Sequence, residues 1–210
     1  MQLETPSTVP PFLYLNVHNH NAISADLANY VVKHTDLLAS KPWCIFSEVE
    51  VSHVLQHVPL LKVFCEQKML DPVFMAVIIV APDDKDHLGI HVDSDRPWVR
   101  MLWPVYNCIG SLTKLYHGSE NTYDQVRDRS GSVAPYYMTK KNTLTVSIPG
   151  IETVVQQIDS FELKQPVVFD TGTLHSVYRV PNSRGPRISF SMGFDRDLDI
   201  SNSMQAWLNF

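Results

Sequence analysis

The chain changes its hydrophobic period at Asp71-Pro72, and no other feature limits its fold as much. Upstream, apolar residues recur at helical spacing; downstream, short runs rich in β-branched and aromatic residues follow one another between turn residues. Helices first and many short strands afterwards predict a mainly β (α+β) protein, a double-sheet jelly-roll barrel with an N-terminal helical portion. The expected organisation is one domain over residues 1–210. It comprises an arm and bracing helices over 1–72, a barrel core over 73–194 and a tail over 195–210.

In the first third, Leu27, Val31 and Leu38 with Tyr30 and His34 form one stripe from Ser24 to Leu38, and Ser24 is the expected N-cap. Ser47-Glu48-Val49-Glu50 matches a capping box, and Val51, Val54, Leu55 and Val58 continue it, so a second helix is predicted to start there. Pro59 interrupts this pattern. Leu60, Leu61, Phe64 and Met69 then extend a helix to Asp71-Pro72. His53 and His57 lie four apart, but no general-base Glu stands between them, and they read as ordinary helix histidines. Ahead of the helices, Phe12-Leu13-Tyr14-Leu15 reads as an edge strand or an extended arm.

After Pro72, strands are predicted at 73–80, 88–93, 98–108, 112–116, 144–148, 154–158, 167–170, 175–180 and 187–194. Residues 117–143 form a long insertion without a clear period, of the kind that is either a functional lid or disordered. The first of these strands, Val73 to Val80, is nearly all apolar, as expected for burial on both faces or under the helices.

Charge and cysteine content narrow the function classes. A formal net charge of -5 offers no basic footprint for duplex nucleic acid. Three cysteines, Cys44, Cys65 and Cys108, are widely spaced and match neither a disulfide framework nor a zinc knuckle, which predicts reduced thiols in a cytoplasmic setting. The first residues lack a basic region followed by an apolar one, and Val73 to Ala81 is too short to span a bilayer, so neither secretion nor membrane insertion is expected. Oligomeric state leaves no mark on the sequence.

The chemistry concentrates in the second half. His91 and Asp93 sit two apart in a predicted strand and so share one face. His175, near the end of a core strand, is the natural third ligand. Two histidines and a carboxylate make the facial triad of non-haem Fe(II) oxygenases, with three coordination positions left open. Arg187 and Ser189 share a face by the same alternation, and a guanidinium with a hydroxyl suits a carboxylate.

In the order His91, Asp93, His175, Arg187, Ser189, this set resembles the Fe(II)/2-oxoglutarate-dependent dioxygenases. The resemblance covers residues 73–194 and implies a double-stranded β-helix. It further implies that His91, Asp93 and His175 bind Fe(II), while Arg187 and Ser189 hold the distal carboxylate of 2-oxoglutarate. Cosubstrate and O2 would occupy the open positions. Asn107, Thr113 and Tyr116 are candidates for further cosubstrate contacts through amide, hydroxyl and phenol groups. Trp98, Arg100 and the tyrosines Tyr123, Tyr136 and Tyr137 are candidates for a substrate mouth, whereas Trp103 is assigned to the core. The intact Asp93 favours hydroxylation, or demethylation through hydroxylation, over halogenation. The expected substrate is a small molecule or a protein residue. The alternatives are a nucleotide or single-stranded nucleic-acid base oxygenase, and a non-catalytic metal-binding jelly-roll module.

Overall fold

The computed structural model describes residues 12–38, 44–80, 88–91, 99–117, 136–137, 145–148, 151–154, 156–171, 173–179 and 185–194. Three helices belong to the first third: α1 (His20–His34), α2 (Val51–His57) and α3 (Pro59–Gln67). The strands are β1 (Phe12–Tyr14), β2 (Cys44–Glu48), β3 (Pro72–Val80), β4 (Leu88–His91), β5 (Val99–Tyr106), β6 (Ser111–His117) and β7 (Tyr136–Tyr137). They continue with β8 (Thr145–Ile148), β9 (Ile151–Val154), β10 (Gln156–Glu162), β11 (Val167–Asp170), β12 (Leu174–Arg179) and β13 (Arg187–Phe194). The protein is mainly β. A six-stranded sheet runs β1-β11-β5-β13-β3-β2, a five-stranded sheet runs β10-β6-β12-β4-β7, and β8 with β9 forms a separate hairpin. Every ladder is antiparallel.

Side-chain alternation sorts the core into two layers. On one face of the six-stranded sheet, Met75, Val77 and Ile79 of β3, Met101 and Trp103 of β5, and Ile188 and Phe190 of β13 pack with Leu27, Tyr30 and Val31 of α1 and Val54, Leu61 and Phe64 of the other helices. On its other face, Leu102, Val167 and Phe169 meet Leu115 and Phe161 of the five-stranded sheet. The order is therefore helices, large sheet, small sheet. Trp103 is fully buried in the helix-side layer, edge-on to Phe64, and donates its indole N–H to Ser24 Oγ at 3.1 Å.

The predicted strands at 73–80, 167–170 and 187–194 appear with at most one residue of difference. Phe12–Tyr14 is the edge strand, paired with β11, and the Tyr14 hydroxyl donates to the Glu162 carbonyl at 2.8 Å. Other boundaries need correction. Helix α1 starts at His20, so Ser24 lies inside it and its hydroxyl donates to the Pro104 carbonyl at 2.6 Å instead of capping. Ser47 and Glu48, expected in a capping box, belong to β2, where the β3 ladder satisfies their backbone; α2 begins only at Val51. The strand expected at 154–158 is two strands, β9 and β10. Within the 117–143 insertion, Tyr136–Tyr137 pairs with β4; apart from His117 at the end of β6, the rest lies outside the described residues, as do Trp98, Tyr123 and 195–210. No helix among the described residues is long and apolar enough to cross a membrane.

Helix α3 ends in a Schellman motif: Leu70 N–H bonds the Cys65 carbonyl at 2.8 Å and Met69 N–H bonds the Glu66 carbonyl at 3.1 Å. The turn places Met69 at φ 51, a left-handed position where a Cβ is unfavourable, and its side chain is 83% exposed, with little packing to offset the strain. Met69→Gly should therefore stabilise the fold by about 0.5–1 kcal/mol, read as a higher denaturation midpoint at unchanged m-value.

Candidate functional site

Strand β13 inverts the usual amphipathic arrangement. All eight of its residues are buried. Ile188, Phe190, Met192 and Phe194 face the helices, so Arg187, Ser189 and Ser191 turn toward the small sheet, inside the protein and not into water. Arg187 is 2% exposed and Ser189 fully buried. Neighbouring strands fix their position, with Arg187 opposite Val80 and Ser189 opposite Ile78 of β3 and Pro104 of β5.

On the small sheet, Thr113 of β6 stands opposite Val177 of β12 and Phe161 of β10. It shares a face with Phe161 and Leu115, both in the layer between the sheets. Thr113 Oγ1, Arg187 Nε and Ser189 Oγ are buried with no hydrogen-bond partner among the described residues. Nor does Arg187 meet a carboxylate among them. Leaving a buried polar group unsatisfied costs about 1–3 kcal/mol, and a charged one more, so three in one layer call for a physical cause. An anion with several acceptor oxygens would supply one.

His175 lies on β12 directly opposite Leu115, so it projects from the same face as Thr113. It is buried, with its ring edge-on to Phe169 at 5.2 Å between centroids. Its Nδ1 lies 2.8 Å from the Thr173 carbonyl. A carbonyl only accepts, so Nδ1 carries the proton and Nε2 keeps the lone pair a metal would use. The backbone register sets His91 of β4 directly opposite His175. The side chain of His91, and Asp93 entirely, lie outside the described residues.

Of the substrate-mouth candidates, Tyr136 pairs with His91 in the backbone register, while Tyr116, Asn107 and Arg100 have contacts of their own. Tyr116 is on the opposite face of β6 from Thr113, with its hydroxyl 3.0 Å from Ser176 Oγ. Asn107, expected on a strand, occupies the turn after β5 at φ 52 and donates to the Gly185 carbonyl at 3.2 Å, tying that turn to the approach of β13. Arg100 is buried, with its guanidinium 4.6 Å from the Phe74 ring centroid. Burial, with Glu66 and Asp71 nearby, pushes the Cys65 thiol up to about 12, which makes it a poor nucleophile.

One cluster escaped the sequence pattern. His34, the last residue of α1, joins His53 and His57 of α2, with one nitrogen from each ring within 4.8 Å of the others, a group that can hold a metal ion. Desolvation and the adjoining His57 and His53 hold the His34 imidazole below its ordinary pKa. The i,i+4 spacing of His53 and His57 was the visible signal, but their third member comes from another helix and only packing reveals it. A cavity of about 380 Å³ between β1, the start of α1 and α3, lined by Leu13, Val17, Ile23, Phe64 and others, contains none of these residues. No protein-family model and no curated protein matches the chain.

Proposed function

We propose that the protein is an Fe(II)- and 2-oxoglutarate-dependent oxygenase built on a double-stranded β-helix. The observation that carries this reading is the buried Arg187, without a carboxylate partner among the described residues, beside a Ser189 hydroxyl that also lacks one. A guanidinium inside a protein is unfavourable until an anion meets it. A ligand carboxylate would accept from Arg187, Ser189 and, across the gap between the sheets, Thr113.

The reading also has a metal end. His175 and His91 are opposed in one antiparallel ladder, where Cα atoms lie about 4.5–5.5 Å apart, near enough to serve one ion. Thr113 is the diagonal neighbour of His175, about 7–8 Å away by ladder geometry, a distance a five-carbon dicarboxylate can span. With Nδ1 tied to Thr173, His175 holds its ring in one tautomer. Phe161, Phe169 and Leu115 make the surroundings of this group apolar.

Fe(II) and 2-oxoglutarate, if bound there, would supply O2-dependent decarboxylation to succinate and CO2, one oxygen atom entering succinate and the other hydroxylating, or demethylating through hydroxylation, a small molecule or protein residue. Adding Fe(II) and then 2-oxoglutarate without O2 should produce a visible metal-to-ligand charge-transfer band, and admitting O2 should release succinate. Absence of both would refute the oxygenase reading; a metal-bound chain that never responds to 2-oxoglutarate would be a binding module.

A further inference from the structure

Away from the space between the sheets, on the helical layer, His34 closes α1 while His53 and His57 stand one turn apart on α2. Their rings meet closely: centroids are 4.1 Å apart for His34 and His57 and 4.3 Å for His53 and His57, tilted by 46° and 47°. Two of the rings already have a partner on one nitrogen. His57 Nδ1 is 2.8 Å from the His53 carbonyl, which only accepts, so Nδ1–H donates and Nε2 keeps its lone pair. His53 Nδ1 is 3.0 Å from the Tyr30 hydroxyl, and Tyr30 is itself buried against Phe190.

Three adjacent imidazoles repel one another when protonated, whereas three neutral rings offer converging lone pairs to one cation. We propose that His34, His53 and His57 form a second metal site, for a borderline transition-metal ion of the Zn2+ class, with water as the fourth ligand. Imidazole selects such ions over Mg2+ or Ca2+, which prefer oxygen, and the group holds no carboxylate. Tetrahedral Zn2+ with Zn–N near 2.0–2.1 Å sets ligand nitrogens about 3.3–3.4 Å apart. The cluster, at up to 4.8 Å, reaches that by a small turn of its rings, and exposed His34 is free to make it. Metal on His53 Nε2 leaves Nδ1–H to donate to the Tyr30 oxygen, the outer hydrogen bond that commonly orients a metal-binding histidine. Tyr30 is then a positioning residue. The ion would pin the end of α1 to α2 over the large sheet.

Co2+ titrated into the full-length chain tests this, because four-coordinate Co2+ has intense visible d–d bands. In a His175→Ala chain, one equivalent should bind with that spectrum and raise the melting temperature. His34→Ala added to that chain should weaken the binding by roughly 100-fold or more. His34 is exposed at a helix end, so its removal spares the fold; His57→Gln provides a second ligand variant. Tyr30→Phe should weaken binding roughly tenfold with the tetrahedral spectrum kept. Unchanged stoichiometry and spectrum in both His34→Ala and His57→Gln would overturn the proposal, as would an octahedral spectrum throughout. Since the readout is Co2+ at the helices, failure here leaves the Fe(II) and 2-oxoglutarate test untouched.

Discussion

Replacing Arg187 with methionine should weaken 2-oxoglutarate binding by about 30-fold or more, from the roughly 2–5 kcal/mol at stake when one member of a buried charge pair is removed, while Fe(II) binding persists. Methionine keeps much of the side-chain volume, so the large sheet should stay packed. The ligand-free protein should hold its stability or gain some, because the variant no longer buries a guanidinium whose Nε lacks a partner among the described residues. Thermal unfolding without O2, with and without 2-oxoglutarate, separates these effects: the ligand-induced rise in melting temperature should vanish in Arg187→Met while the ligand-free midpoint does not fall. Loss of Fe(II) in place of 2-oxoglutarate would assign Arg187 to the metal end. Retention of both would remove the anion-binding role altogether.

The largest effect on folding should come from Phe190→Ala, at about 3–5 kcal/mol of lost stability. Phe190 is fully buried where β13 crosses beneath α1, edge-on to Tyr30 at 6.1 Å between centroids. Truncation leaves a cavity between a sheet and a helix, two rigid surfaces that close poorly over it. In a domain of this size the melting temperature should drop by about 6–20 °C. Denaturant unfolding with an unchanged m-value checks this. A loss below 1 kcal/mol would show that the helical layer collapses into the gap, and that it is less firmly seated than its burial indicates.

What could be read in the sequence, and what could not, follows from the range of the interactions involved. Strands 73–80, 167–170 and 187–194 are legible because each carries its own alternation or apolar run and is bounded by turn residues. The pairing of Arg187 with Ser189 on one face is legible for the same reason. The β2 strand is not, because Ser47 and Glu48 match a helix cap locally and only the ladder with β3 reveals otherwise. Ser24 is a good cap by type, yet α1 gains an extra turn at its start and the hydroxyl finds Pro104 from a distant strand. The helix-side histidine cluster was half visible, since His53 and His57 share a helix face but His34 arrives from another helix. Tyr116 shows the limit of spacing arguments: three positions from Thr113 on one strand means opposite faces, which the alternation rule itself predicts once the strand is known.

The two-sidedness of β13 separates what may vary from what may not. A slip of one residue against β3 or β5 would exchange Arg187 and Ser189 for Ile188 and Phe190, so the apolar side acts as the register pin for the polar one. Stability rests on Ile188, Phe190, Met192 and Phe194; ligand choice would rest on Arg187, Ser189 and Thr113 across the gap. If these groups do hold an anion, a descendant chain could change which one by altering three polar positions without redesigning its core. Drift on the helix-facing side, by contrast, would misalign polar groups it never touches.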